Sequence, residues 1–285
     1  TWDAISQHLA SCRDQSLWPE HENERPWALR AIFAPVLVLP PQPDRDWPEV
    51  ARWLESEWQI RGRDELIHIL LWLGGQGHRY GWDLDAARLL EADGATRQSW
   101  LRGLNEQRRY GQVMLAYLEQ GEPLEWAAWD WLRLVDLAYA GLMLGWLSAD
   151  EAEDFAAHAA DLLMRRYNDW MALVQAYQRG RSLFEGHRYP TDQAVPELAL
   201  LLNSLVSPWR VPLQDVVSET QRERSRLALR SWRADARHWV LALASVREPD
   251  LLYRQGMSVA LDETRRQDAR RYLAETLGLF PDEGI

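Results

Sequence analysis

The stretch Leu124–Leu147, LEWAAWDWLRLVDLAYAGLMLGWL, decides the fold class. It carries Trp126, Trp129, Trp131 and Trp146 and is apolar on nearly every side. A helix of that kind is buried all round instead of turning one wet face to solvent. From Trp126 onward three charges interrupt the run: Asp130, Arg133 and Asp136. Their i, i+3, i+6 spacing lets Arg133 meet a carboxylate one turn before it or one turn after it. Charges at that depth are costly unless they are paired and hydrogen-bonded. The bland expectation for the trio is therefore an ion-pair lock. The functional one is an anion or small-molecule pocket, with Arg133 placed for bidentate capture of a carboxylate or phosphate.

Outward from this helix, the pattern is helical throughout. On the N-terminal side a short helix over Trp2–Ala10 gives way to a polar, loop-like stretch from Cys12 to Pro26. The one β-like fragment starts at Phe33, and Pro35, Pro40, Pro41 and Pro43 reduce it to a connector or edge piece. Helices follow from Asp46, stopped or bent at Gly62, and over Asp64–Leu73, stopped by Gly74-Gly75-Gln76-Gly77. Another runs from Leu84 to Glu91, and the segment 95–120, weakened by Gly103 and Gly111, reads as one helix or two. Beyond the central helix, Ser148-Ala149-Asp150-Glu151 is a capping box that opens a helix to about Tyr167. A further helix around Trp170, Leu173, Val174 and Tyr177 is expected to end near Gly180. Gly141 and Gly145 share a face of the central helix and would admit a close neighbour.

The fold class expected is all-α: an irregular multi-helix globular domain around a buried central helix, with no substantial sheet. A charge shift near Pro208 and Pro212 divides it into a core domain, 1–212, and an appended helical segment, 213–285, packed on the core, with a single domain as the alternative.

Composition narrows function mainly by exclusion. The 285 residues carry a net charge of −11, so general nucleic-acid binding, which needs a basic surface, is disfavoured and a basic protein partner is compatible. All 32 basic residues are Arg, which excludes Schiff-base lysine chemistry and a Walker-type phosphate loop. A single cysteine, Cys12, forbids an intrachain disulfide and a cysteine zinc site, and makes the cytoplasm the simplest setting. The longest apolar run, Leu137–Leu147, is far short of the roughly 20 residues of a membrane span, and no charged-then-apolar leader pattern follows Thr1. There is no Rossmann glycine fingerprint and no Gly-x-Ser-x-Gly elbow, and nothing calls for a cofactor or names a catalytic residue.

Three segments together resemble the bacterial family called domain of unknown function 1266. They are Trp58-Gln59-Ile60 through Asp64-Glu65-Leu66 to Gly77-His78-Arg79; Ala128-Trp129-Asp130 with Arg133; and Tyr167–Arg181, with Trp170, Tyr177 and Gly180-Arg181, followed by Ser207-Pro208-Trp209. The resemblance covers roughly residues 50–215, and Asn168-Asp169-Trp170 departs from the serine-tryptophan usual there. It implies an all-helical fold and supplies no catalytic residues.

Two more clusters carry chemistry. His78 and Arg79, behind a glycine-rich break, would serve as a general base with an anion clamp, or simply as a cap on the preceding helix carbonyls. Glu65 and His68 have a spacing that permits two ligands on one metal, but no second such pair and no cysteine cluster accompany them, so no metal is expected. The second cluster is the Arg-rich 221–247 stretch, in which Arg226, Arg230, Trp232, Arg233 and Trp239 form a candidate interaction surface. Its plainer reading is a helix paired with the acidic body of the same chain; stacking on single-stranded nucleic acid is the weaker one. The function expected first is a non-enzymatic protein-interaction module, regulatory or toxin-neutralising. The alternative is an enzyme or small-anion binder whose pocket uses Asp130, Arg133, Asp136, His78 and Arg79.

Overall fold

In the computed structural model the described residues are 22–33, 47–102, 109–188, 201–202, 207–210 and 212–234. Among them nine α-helices and short 3-10 turns are present, with no strand. The helices are α1 (Pro48–Trp58), α2 (Arg63–Gly75), α3 (Arg79–Glu91), α4 (Gly94–Arg102), α5 (Tyr110–Glu119), α6 (Ala127–Met143), α7 (Ala149–Arg166), α8 (Trp170–Glu185) and α9 (Glu219–Ala234). The all-α expectation is met.

The apolar run becomes α6, and every residue from Ala127 to Gly141 is buried except Arg133 and Asp136. Helices α2, α7 and α8 and a 3-10 helix over Glu22–Ile32 pack against it. That 3-10 helix occupies ground the sequence reading assigned partly to a polar loop. Trp27, Ala28, Leu29 and Ala31 are buried on it, so tertiary packing overrides a stretch with no helical apolar period and an internal Pro26. The Trp209 indole donates to the Ala28 carbonyl (2.8 Å) and stacks on Trp170 (4.6 Å, 6°), tying the Ser207-Pro208-Trp209 corner to both elements.

Two glycines set the helix separations. A Cβ on Gly141 would stand 2.3 Å from Leu66 of α2, and one on Gly180 would stand 2.3 Å from the Trp129 Cβ. Gly180 therefore does not end its helix. It lets α8 lie against α6, and the helix continues to Glu185, where Gly186 takes the left-handed conformation (φ +70°) that ends it. Gly145 plays no close-packing part: it has φ +67° just beyond α6 and nothing near its Cβ position. At Ser148 the capping box forms as the sequence indicates, and Glu151 also takes a 2.7 Å ion pair from Arg63.

Helix α9 lies along α7. Arg224 reaches Asp154 (2.7 Å) and Glu153 (3.1 Å), Arg226 reaches Asp161 (3.4 Å), and Trp232 packs on Phe155 with the Arg63 guanidinium 5.3 Å from its ring. The expected helix at Trp2–Ala10 and the proline-rich connector after Phe33 lie outside the described residues.

Candidate functional site

The glycine-rich break after α2 carries the turn that brings His78 and Arg79 under α6. Gly77 sits at φ +59°, where a Cβ would come 2.1 Å from Asp130 Oδ2, so only glycine fits both the backbone and the space. Asp130 is fully buried. Its Oδ1 accepts from the His78 backbone N–H (3.1 Å) and lies 2.9 Å from His78 Nδ1; its Oδ2 accepts from the Arg79 backbone N–H (2.9 Å) and Nη1 (3.3 Å). Burial alone would raise the Asp130 carboxyl, but His78, Arg79 and these N–H groups hold it below the usual carboxylate range.

Arg79 is fully used. It donates to the carbonyls of Leu73, Gly74 and Gly75 at the end of α2, and its guanidinium lies 4.9 Å from the Trp131 ring. It caps a helix and neutralises Asp130, which leaves no face for clamping a ligand anion. Asp136 is likewise taken, by Arg30 Nε at 2.8 Å from the 3-10 helix, with the Arg30 guanidinium over Tyr139. Burial pushes the Asp136 carboxyl up in spite of Arg30.

Arg133 is the member of the trio that the sequence reading misplaced. It pairs with neither carboxylate, because both point to groups that tertiary packing delivers from far along the chain: His78 and Arg79 for Asp130, Arg30 for Asp136. Its guanidinium lies 4.1 Å from the Trp129 ring centre, with Trp58 and Phe184 at 5.8 Å and Phe33 at 5.9 Å. Burial lowers its pKa; Tyr177, Asp136 and Asp130 oppose this, and Arg181 adds repulsion. Arg133 Nε and Trp129 Nε1, on successive turns of α6, are both sealed from solvent with no hydrogen-bond acceptor among the described residues. Buried donors without acceptors are uncommon and costly, about 1–3 kcal/mol each.

His78 borders the same aromatic surround. Its ring meets Phe184 edge-on at 5.4 Å and Trp58 at 6.4 Å, and it stacks on Trp82 at 5.8 Å. Phe184 is 46% exposed and forms the outer wall. The structure thus places Arg133 and His78 on two shared rings and leaves Arg79, Asp130 and Asp136 behind them as support. Sequence reasoning passed over Phe184, Trp58, Phe33 and Arg30. Only Trp129 carried a usable signal, its i, i+4 relation to Arg133.

Glu65 and His68 do not converge. Glu65 is exposed and accepts from the Arg61 backbone N–H, while His68 is buried. Among the described residues no group of three His, Cys, Asp or Glu is placed to hold a metal ion, and no helix is long and apolar enough to cross a membrane. Of the candidate interaction surface, Arg226 and Trp232 are engaged with α7 and its surroundings and Arg230 is exposed. The Arg233 side chain and Trp239 lie outside the described residues.

Residues 53–213, which hold the whole of this constellation except the Arg30 and Phe33 contributions, match the family described as "Protein of unknown function (DUF1266)". The chain belongs to this family. Among curated proteins it is similar to the uncharacterised protein YbeR of Escherichia coli (strain K12), 26% identical over 51% of this chain and 61% of YbeR. It is also similar to the uncharacterised protein YbeU of the same organism, 25% identical over 62% of this chain and 79% of YbeU. No solved structure matches the chain.

Proposed function

We propose that this DUF1266 protein binds a small anion at Arg133. The observation that carries the reading is the pair of sealed, acceptorless donors, Arg133 Nε and Trp129 Nε1, beside a guanidinium with no carboxylate partner among the described residues. An unpaired guanidinium in an aromatic surround gains cation–π energy but keeps its capacity for a charge-assisted pair. The acids nearest in sequence are already neutralised, so an incoming anion would be Arg133's first. A protein that binds a ligand only when folded is stabilised by it, and thermal unfolding with phosphate, sulfate, acetate and benzoate tests the reading. At least one should raise the midpoint of the native chain and leave that of Arg133→Met unmoved. Equal shifts in both proteins, or none in either, would sink it.

The interaction-module reading keeps one specific support. Leu227 is 65% exposed on α9, one turn from the exposed Arg230, while the inner cations of that helix are committed to α7. A protein partner would meet that outer face. The lone cysteine and the lack of a spanning helix among the described residues fit a cytoplasmic setting for either role.

A further inference from the structure

We infer that the cleft between the 3-10 helix Glu22–Ile32 and the start of α9 binds a small ammonium–carboxylate zwitterion, of the amino-acid or short-peptide class, its carboxylate meeting Arg25 and its ammonium meeting Asp215. This is a second site, built from none of the residues that surround Arg133.

The cleft has a volume of about 500 Å³, within the range of small-molecule sites. Arg25 lines it from the 3-10 helix, and residues between Gln214 and Arg222 line it from the turn that leads into α9. That turn is firmly held. Leu213, Val216 and Val217 are buried, and the Gln214 amide donates to the carbonyls of Met164 (3.2 Å) and Tyr167 (3.0 Å) at the end of α7. Ser218 and Gln221 cap each other: the Ser218 N–H donates to Gln221 Oε1 (2.9 Å) and the Gln221 N–H to Ser218 Oγ (3.3 Å). Among the described residues that line the cleft, Val217 alone is apolar, so its ligand is recognised by polar groups and not by apolar burial.

Four charges line the cleft: Arg25, Asp215, Glu219 and Arg222. Two of them are spent on each other. Arg222 pairs with Glu219 at 3.2 Å and also reaches the Val217 carbonyl at 3.4 Å, while Glu219 stands 3.9 Å from Arg226. Arg25 and Asp215 are unspent. Neither side chain takes part in an ion pair among the described residues, and Arg25 Nε is sealed from solvent with no hydrogen-bond acceptor there.

One free cation and one free anion thus line the same cleft without meeting. A bare anion drawn to Arg25 would be repelled by Asp215, and a bare cation drawn to Asp215 would be repelled by Arg25. A molecule that carries both charges answers both. The guanidinium fork suits a carboxylate, and an ammonium suits the Asp215 oxygens. Free amino acids and short peptides share this chemistry and differ in the spacing of their two charges.

The experiment is calorimetric titration of the full chain at neutral pH with L-glutamine and glycyl-L-glutamine, each also as its N-acetyl derivative and as its C-terminal amide. One of the two parent zwitterions should bind about tenfold tighter than both of its derivatives, the ratio a charge-assisted hydrogen bond supplies, and which parent does so tells amino acid from peptide. Arg25→Met should erase the preference over the amide. Asp215→Asn should erase the preference over the N-acetyl derivative, and because Asp215 is exposed this variant keeps the test open even if Arg25→Met fails to fold. Parents no tighter than their amides would overturn the role of Arg25, parents no tighter than their N-acetyl derivatives that of Asp215, and no binding by any probe the site itself. The series is repeated on Arg133→Met. Zwitterion binding kept there supports the cleft; binding lost there would assign it to Arg133 and overturn the cleft while the anion-binding reading stands.

Discussion

Gly77 and Asp130 are in contact across the gap between α2 and α6, so close that a Cβ at position 77 would fall 2.1 Å from the Asp130 carboxylate. The turn and the buried charge are one device. The left-handed turn presents the backbone N–H groups of His78 and Arg79 to the carboxylate, and the absent side chain lets it arrive. Gly77→Ala should therefore be costly twice over, through its positive φ and by displacing Asp130, for a loss of about 2–4 kcal/mol. Urea unfolding of the variant measures it; a change below about 0.5 kcal/mol would mean the turn relaxes freely.

Arg79 and Arg133 are both cations near Asp130, yet their removal should differ sharply. Arg79→Met takes the cation from a fully buried carboxylate and the donors from three helix-end carbonyls, and should cost about 3–5 kcal/mol. Arg133→Met breaks no ion pair. It forfeits cation–π contacts of about 1–2 kcal/mol and removes an orphaned donor, so its net loss should be about 1 kcal/mol or less. Denaturant midpoints of the two variants provide the comparison. If Arg133→Met unfolds the protein as Arg79→Met does, Arg133 is a structural cation and the anion site is not there.

What could be read from the sequence follows the range of the forces involved. The central helix was legible because an apolar run with no wet face has one physical outcome. The Ser148 capping box was legible because its four residues satisfy one another. The ion-pair reading of Asp130, Arg133 and Asp136 failed because i, i+3 proximity only permits a pair. The deciding partners lie 51, 52 and 106 residues away, and no local pattern marks them. Gly180 misled for a similar reason: by local rules a glycine stops a helix, and here it is the contact point with Trp129. The surround of Arg133 draws on four separate elements, so its members carried no shared spacing.

At that contact point Gly180→Ala should push α8 off α6. The added methyl would meet the Trp129 Cβ at 2.3 Å and the Trp126 carbonyl at 3.1 Å, neither of which is the free end of a flexible side chain. Intrinsic helix propensity favours alanine by about 1 kcal/mol, but overpacking at so tight a point should outweigh it and leave a net loss of about 1–3 kcal/mol. Near-ultraviolet circular dichroism, which reports the packing of the chain's tryptophans, Trp129 among them, should change with it. A stabilised variant with an unchanged spectrum would show that propensity dominates.

Acid sensitivity should trace in part to the start of α6. Glu125 Oε1 accepts from the Tyr167 hydroxyl (2.7 Å) and the Ala127 N–H (3.1 Å), and Arg166 binds Oε2. The same Tyr167 oxygen accepts from the Ala128 N–H at 2.9 Å, so the pair satisfies backbone donors that the helix leaves free at its first turn. Burial pushes Glu125 up, but Arg166, Tyr167 and Ala127 prevail and hold it below its ordinary value. A carboxyl lowered in the folded state binds its proton first in the unfolded chain. Its stabilisation is therefore present above the ordinary carboxylate value of about 4 and is lost as pH falls through the lower folded value. Asp130 acts in the same direction, and Asp136, raised by burial, acts against both. Glu125→Gln should be less stable than the native chain near neutrality, and the gap should close as pH drops below about 4. Urea midpoints across that range decide it: a gap that stays constant with pH would show that Glu125 contributes packing alone and that its charge does not stabilise the fold.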